Sequence, residues 1–303
     1  MTVSSGADAL VVAINPTSGK GKAASVGQEV VLRLREQGFL VDEIVGSDEA
    51  DLQKCLAERL HEPHRALIAV GGDGMVHSAV QALMPFPETP LGIVPAGTGN
   101  DVARALALNE TDPLAAVDVI VAALERGPRL VDLGEMVHHG EVSRFAAVYS
   151  AGFDALVNER ANRLRFPRGS SRYTVAMLLE LSTLRPRHYR LVVDGEVVER
   201  EALLVAVANT ESFGGGMRVV PDAPIDDGFL EVFTLAPLSR LTFVRLFPRV
   251  FSGTHVDHPA VSIRKARSVR IEVDDIVGYA DGERGGPLPV DLRVLPGALP
   301  ILA

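Results

Sequence analysis

RALIAVGGDGMVHSAVQALMPFPETPLGIVPAGTGND, residues 65–101, decides the reading of the chain, because two glycine-rich loops follow two short apolar runs within it. Leu67 to Val70 is an uninterrupted apolar run of the kind that forms a buried strand, and it leads directly into Gly71-Gly72-Asp73-Gly74. Met75, Ala79, Val80 and Leu83 then recur at helical spacing. The unit reads as strand, glycine turn, helix, with the first helix amides aimed at whatever fills the turn. Leu91 to Val94 repeats the plan: Pro95 stops the run, and Ala96-Gly97-Thr98-Gly99-Asn100-Asp101 opens a helix with Val102, Ala105 and Leu106 on one face. Glycines let backbone approach an anion closely, while Thr98 and Asn100 offer hydrogen bonds. Two such loops predict a polyphosphate site.

Upstream, the same alternation continues. Ala9 to Ile14 reads as a first strand, followed by Asn15-Pro16-Thr17-Ser18-Gly19-Lys20-Gly21-Lys22 and a helix to about Gln37 with Val26, Val30 and Leu34 inward. Phe39 to Val45 reads as a second strand and Asp48 to Leu60 as a second helix. Alternating strands and helices predict a parallel sheet with right-handed crossovers. The first loop lacks the GxxxxGK spacing of a P-loop, and Val102 stands where a dinucleotide fingerprint wants its third glycine.

Asp112 to Arg126 is a further amphipathic helix, and at Gly127-Pro128 the pattern changes. Short alternating segments then dominate: Leu130 to Leu133, Phe145 to Tyr149, Tyr189 to Val193, Val197 to Glu199, Leu203 to Ala208, Leu230 to Leu235 and Val269 to Val273. They predict an antiparallel β domain, interrupted by helices over Ala155 to Leu164 and Tyr173 to Leu184. The expected division is 1–127 as an α/β nucleotide-binding domain and 128–287 as a β-rich domain. Residues 288–303 are expected to return to, or border, the first.

The 303 residues carry a formal net charge of −9, which argues against a general grip on nucleic acid or on anionic membrane. Any membrane contact has to be local. No apolar run of about 18 residues suggests a membrane span, and a single cysteine, Cys55, rules out an internal disulfide. The cytoplasm is the expected compartment. The histidines show no metal-ligand spacing.

Six motifs in order, Asn15-Pro16-x-Ser18-Gly19, Gly71-Gly72-Asp73-Gly74, Gly97-Thr98-Gly99-Asn100-Asp101, Gly152-x-Asp154-Ala155, Pro221-Asp222-Ala223 with Asp226-Asp227-Gly228-x-Leu230, and Asp281-Gly282-Glu283, resemble the diacylglycerol kinase catalytic-domain superfamily. That group holds bacterial soluble lipid kinases and sphingosine kinases and, more distantly, NAD kinases and phosphofructokinases. The resemblance implies a Rossmann-like α/β domain and a C-terminal antiparallel β-sandwich-like domain, with ATP between them. It also implies Mg²⁺-dependent transfer of the γ-phosphoryl group to a lipid hydroxyl at the inner membrane surface. A lipid alcohol such as diacylglycerol is the expected partner, nucleic acid is not, and a homodimer is left open. Two rival readings are a kinase of another acceptor (a sphingoid base, a glycolipid or NAD) and a non-catalytic nucleotide or lipid sensor. One departure is Met75, which stands where the family usually has threonine.

The residues expected at the nucleotide are Asn15, Pro16, Ser18, Gly19, Lys20, Ser47, Gly71, Gly72, Asp73, Gly74, Met75, His77, Thr98 and Asn100. Asp281, Glu283 and Asp73 are the candidates for accepting the hydroxyl proton, and Asp73 is also placed to ligate Mg²⁺. Asp194-Gly195-Glu196 repeats the Asp281 tripeptide between two apolar runs, where a two-residue hairpin turn is the natural reading. By resemblance, Asp227 with the backbone carbonyls of Pro224 and Phe229 forms a structural Mg²⁺ site, an oxygen set that a hard cation accepts. The competing reading is a solvated acidic turn. Two stretches have interfacial character: Arg160, Arg163, Arg165, Arg168 and Arg172 around Leu164 and Phe166, and Leu241, Phe243, Val244, Phe247, Val250 and Phe251 with Arg240, Arg245 and Arg249.

Overall fold

A computed structural model describes residues 8–164 and 170–303. Arg165, Phe166 and Arg168 of the first basic stretch lie outside the described residues, as do the side chains of Lys20 and Arg172. The chain divides into two compact units, residues 1–133 with 296–303, and residues 134–295.

In the first unit, β1 (Leu10–Ile14), α1 (Lys22–Glu36), β2 (Val41–Val45), α2 (Glu49–Arg59), β3 (Ala66–Gly71), α3 (Asp73–Ala82), β4 (Leu91–Pro95), α4 (Asp101–Ala105) and α5 (Ala115–Arg126) alternate as the apolar periodicity predicts. The strands lie in the order β2-β1-β3-β4, all parallel. β1, β3 and β4 are buried along their whole length, which is why they read as continuous apolar runs; β2 is an edge strand and half exposed. α1 buries Ala23, Gly27, Val30, Val31 and Leu34. Gly27 sets how closely that helix packs, since a Cβ there would lie 2.5 Å from Ile14 Cδ1. Each aliphatic side chain taken fully out of water in this core contributes about 1.5–3 kcal/mol.

The second unit is built almost entirely of antiparallel strands. β5 (Arg129–His138) crosses the division and pairs with β6 (Glu141–Phe145). β7 (Val148–Gly152), α6 (Phe153–Arg163), α7 (Ser170–Ser182), β8 (Arg187–Val193), β9 (Glu196–Ala202), β10 (Leu204–Ala208) and β11 (Leu230–Leu235) follow. The last elements are α8 (Arg240–Leu246), β12 (Val261–Ala266), β13 (Ser268–Glu272), β14 (Val277–Ala280), β15 (Glu283–Pro287) and β16 (Val290–Ile301). One sheet has the order β12-β11-β10-β7-β14-β15, and β9, β8, β13 and the first half of β16 form a second antiparallel layer. Tyr149, Val205 and Val207 from the first layer and Leu191, Val269 and Leu292 from the second share one buried cluster, so the unit is a sandwich. Tyr189 of the second layer donates its hydroxyl to Ala151 O of the first at 3.0 Å.

The fold class is the one the sequence indicates, with differences in detail. The expected strand over Phe145 to Tyr149 is two strands, broken at Ala146-Ala147. The final strand runs on through Ile301, where it adds parallel to β4, Ile301 opposite Leu91. Its alternation holds only over the first half; Leu299, Pro300 and Ile301 are all buried, as befits a strand entering the parallel sheet. The sheet-crossing change falls at Leu133–Gly134 and Leu295–Pro296 rather than at Gly127 and Leu288.

Candidate functional site

Three loops meet in the first unit, each leaving the C-terminal end of a strand. The loop after β1 touches the loop after β4 through Gly19: its φ of +59° and the 2.2 Å that would separate a Cβ from Ala96 O admit no side chain. The loop after β3 meets the loop after β4 backbone to backbone, because a Cβ on Gly97 would sit 2.3 Å from Gly72 Cα. A Cβ on Gly71 would come within 3.4 Å of Ser18 Oγ, which ties the first loop to the second. Three loops thus pack backbone to backbone at the carboxyl ends of parallel strands, the position where α/β sheets take ligands.

Polar side chains hold this surface in shape. Asn100 adopts φ +54° and accepts from Gly97 N–H at 3.0 Å through Oδ1. Asp73 Oδ1 accepts from the amides of Asp101 and Val102 at 2.7 and 3.3 Å, so the carboxylate of one loop caps the helix that follows the other. Asn15 closes an Asx turn, accepting from Thr17 N–H at 3.1 Å and from the Thr17 hydroxyl at 2.8 Å. Pro16 and Gly19 are half-exposed, Gly74 and Thr98 are exposed, and His77 is half-buried. Ser47 stands one strand over, after β2, and both its amide and its hydroxyl donate to Asp51 Oδ2. That pair pulls the Asp51 carboxyl below its usual range, the Ser47 amide being the first cause.

Two features escaped the reading of the sequence. Arg104 bonds Asp101 at 2.5 Å, Gly99 O at 2.8 Å and Glu110 at 2.6 Å, bracing the second loop from behind; the Asp101–Arg104 spacing of three residues on a helix was the available signal. Met75, singled out as a missing hydroxyl at the phosphates, is only 1% exposed, and its side chain belongs to the core of the unit. Met75→Thr is therefore expected to lower unfolding stability by about 2–4 kcal/mol through a cavity and a buried hydroxyl. Urea unfolding checks this, and an unchanged midpoint would show that the loop closes over the gap.

In the second unit, Asp281 and Gly282 form the two-residue turn between β14 and β15, with φ +52° and +89°. The Asp281 carboxylate accepts from the amides of Ala146, Ala147 and Val148 at 2.9, 2.8 and 3.2 Å. Those three donors explain the break between β6 and β7. Glu283 opens β15 and is exposed. The expected contrast with Asp194-Gly195-Glu196 does not hold geometrically: that copy turns with φ +49° and +85°, and Asp194 Oδ1 likewise accepts from the amides of Arg267 and Ser268 at 3.0 and 2.8 Å.

The expected cation site at Asp227 holds an ion pair. Lys265 Nζ lies 2.5 Å from Asp227 Oδ2 and 3.8 Å from Glu231, and Phe229 presents its amide, 3.0 Å from Asp227 Oδ1. The bond to Asp227 raises the lysine pKa above its usual value. Both carboxylate oxygens thus already have protein donors, and Pro224 is exposed on the same turn. Among the described residues no group of three or more His, Cys, Asp or Glu gathers as a metal site.

The second unit also holds a cavity of about 600 Å³ between α6, α7 and β8. Phe153, Leu156, Leu164 and Leu203 supply apolar wall, and Arg160 and Arg163 supply charge. Asp154 keeps both carboxylate oxygens out of solvent, and burial pushes its carboxyl up to about 6 against the opposing pull of the Ser150 side chain and the Ala155 amide.

The family model described as diacylglycerol kinase catalytic domain matches residues 9–136, and that of the YegS C-terminal NAD kinase beta sandwich-like domain matches residues 146–303. The chain is 41% identical over 290 residues to the diacylglycerol kinase of Mycobacterium tuberculosis, covering 95% of this chain and 93% of the relative. It is 32% identical over 279 residues to that of Staphylococcus saprophyticus, covering 91% and 88%. At the level of fold it is similar to a crystal structure of a diacylglycerol kinase from Bacillus anthracis, with a TM-score of 0.69 at 22% identity, covering 97% and 96%.

Proposed function

The chain belongs to the diacylglycerol kinase family, and from that premise we propose that it transfers the γ-phosphoryl group of ATP to the hydroxyl of diacylglycerol or a related lipid alcohol. The observation that carries the nucleotide half is the close packing of three glycine loops, through Gly19, Gly72 and Gly97, at the carboxyl ends of parallel strands, where such folds bind phosphate on backbone amides. Mg²⁺ arriving with the triphosphate would neutralise charge on the transferred group, and Asp73 is the carboxylate at those loops.

In the transfer, a bond forms between the acceptor oxygen and the γ-phosphorus as the bond from that phosphorus to the β–γ bridging oxygen breaks. ADP leaves with the electron pair, and the acceptor proton passes to a carboxylate. A loose transition state asks for a well-placed acceptor more than for a strong base. Asp281, fixed in place by three amides, meets that demand better than the exposed Glu283. The acceptor half rests on the cavity beside α6, whose apolar wall suits acyl chain.

The test is transfer of label from γ-labelled ATP with Mg²⁺ to mixed micelles of diacylglycerol, sphingoid base and glycolipid, run beside NAD. Label in diacylglycerol is the expected result. Label in NAD alone, or in nothing despite measured ATP binding, would overturn the reading.

A further inference from the structure

The outer face of α8 is apolar and basic on a protein of net charge −9. At 100° per residue, Arg240, Val244, Leu241 and Arg245 fill a continuous arc of about 140°. Leu241 is 59% and Val244 49% exposed, and Phe251, just beyond the helix, is 53% exposed. Arg240 and Arg245 are exposed and have no ion-pair or hydrogen-bond partner among the described residues. The neighbouring Arg249 is engaged with Thr254 and lies 3.7 Å from Asp257, so the face keeps two uncompensated positive charges.

The same helix is fixed from beneath. Ser239 caps it by accepting from Thr242 N–H at 3.1 Å, and Phe243 and Leu246 point inward and are buried. Phe243 meets Phe153 edge to face at 4.9 Å, and Phe153 lines the cavity beside α6. A lipid with two acyl chains does not travel through water, so its binding cavity has to be filled from a bilayer. The structure puts an exposed apolar and cationic helix on the far side of the ring that walls that cavity.

We propose that the outer face of α8, with Phe251, docks the protein on an anionic phospholipid surface. Leu241, Val244 and Phe251 enter the interfacial layer, and Arg240 and Arg245 pair with lipid phosphates. The role as a feeder of acceptor rests on the lipid-kinase reading; the docking itself does not.

The test is flotation of the full chain, without nucleotide, on vesicles of phosphatidylcholine alone and with about one third phosphatidylglycerol. The expected result is partition onto the anionic vesicles that weakens as salt is raised. Arg240→Gln with Arg245→Gln should reduce that partition about thirtyfold and remove most of its salt dependence, at about one kilocalorie per mole for each charge near the surface. Leu241→Ser, Val244→Ser and Phe251→Ser combined should abolish it at every salt concentration, and thermal melts check that these exposed positions leave folding alone. Turnover on a dispersed short-chain diacylglycerol is read separately and should not change in either variant, so a failed kinase reading and a failed docking surface give different outcomes. Variants that float like the parent, a parent that binds no vesicle, or a face that instead joins two copies of the chain in sedimentation would each overturn the proposal.

Discussion

Asp281→Asn is expected to lower phosphoryl transfer by roughly two to four orders of magnitude, whereas Asp194→Asn should leave it within about twofold. The pair is informative because the two aspartates are built alike. Each opens a two-residue turn before glycine, each has a positive φ, +52° and +49°, and each turns its carboxylate onto amides of a neighbouring segment. Asparagine keeps the volume and the turn but offers one oxygen where the aspartate offered two. At Asp281 the new amide group would face the N–H of Ala146 or those of Ala147 and Val148, donor against donor. Both variants should therefore lose stability, about 1 kcal/mol at exposed Asp194 and up to about 3 kcal/mol at half-buried Asp281. Denaturant melts give the folded fraction, and turnover is then corrected for it. If corrected turnover in Asp281→Asn stays near the parent's, Asp281 is a hairpin residue only, as Asp194 is.

What the sequence made legible was whatever sits close along the chain. Strand, glycine turn and helix over residues 65–101 could be read because buried parallel strands are continuous in hydrophobicity and the loops abut them. The partners of those loops could not. Asp73 reads as a carboxylate for Mg²⁺ or the acceptor proton, yet it caps a helix 28 residues away through Asp101 N–H. Asp281 reads as a free carboxylate, yet it accepts from amides more than 130 residues away. Nothing local encodes either bond.

Three of the strands that went unread share a physical cause. β6 is Glu141–Phe145 and β15 is Glu283–Pro287, the latter an edge with two glycines, and β12 alternates valine and isoleucine with charged residues at the edge of its sheet. Edge strands need only one apolar face or none, so composition hides them. Met75 misled for the opposite reason. Its place in a glycine loop suggested the ligand side, but it is the third residue of α3, whose geometry turns that side chain into the core.

Gly97→Ala is expected to weaken nucleotide binding about 10- to 100-fold and to cost about 1–3 kcal/mol of stability, the largest effect among methyls added at Gly97, Gly99 and Gly72. The added carbon would lie 2.3 Å from Gly72 Cα, 3.0 Å from Gly72 N and 2.8 Å from Asn100 Oδ1. The first two are backbone atoms that no rotamer change can move, so the loops after β3 and β4 would have to part. Gly99→Ala should be next. Its methyl would meet Asp73 Oδ2 at 2.4 Å, a side-chain atom, but one whose carboxylate is pinned through Oδ1 to Asp101 and Val102. Gly72→Ala should be mildest although it faces Gly97, because its own Cβ direction leaves 3.0 Å to Gly97 Cα and 3.8 Å to Gly97 N. The order Gly97, Gly99, Gly72 is a property of the backbone packing alone, whatever acceptor the enzyme uses. Calorimetric titration with a non-hydrolysable ATP analogue, beside thermal melts, reads it directly. Stability lost in this order with nucleotide affinity intact would mean that the three loops brace the fold without holding the phosphates, and the nucleotide site would have to be sought elsewhere.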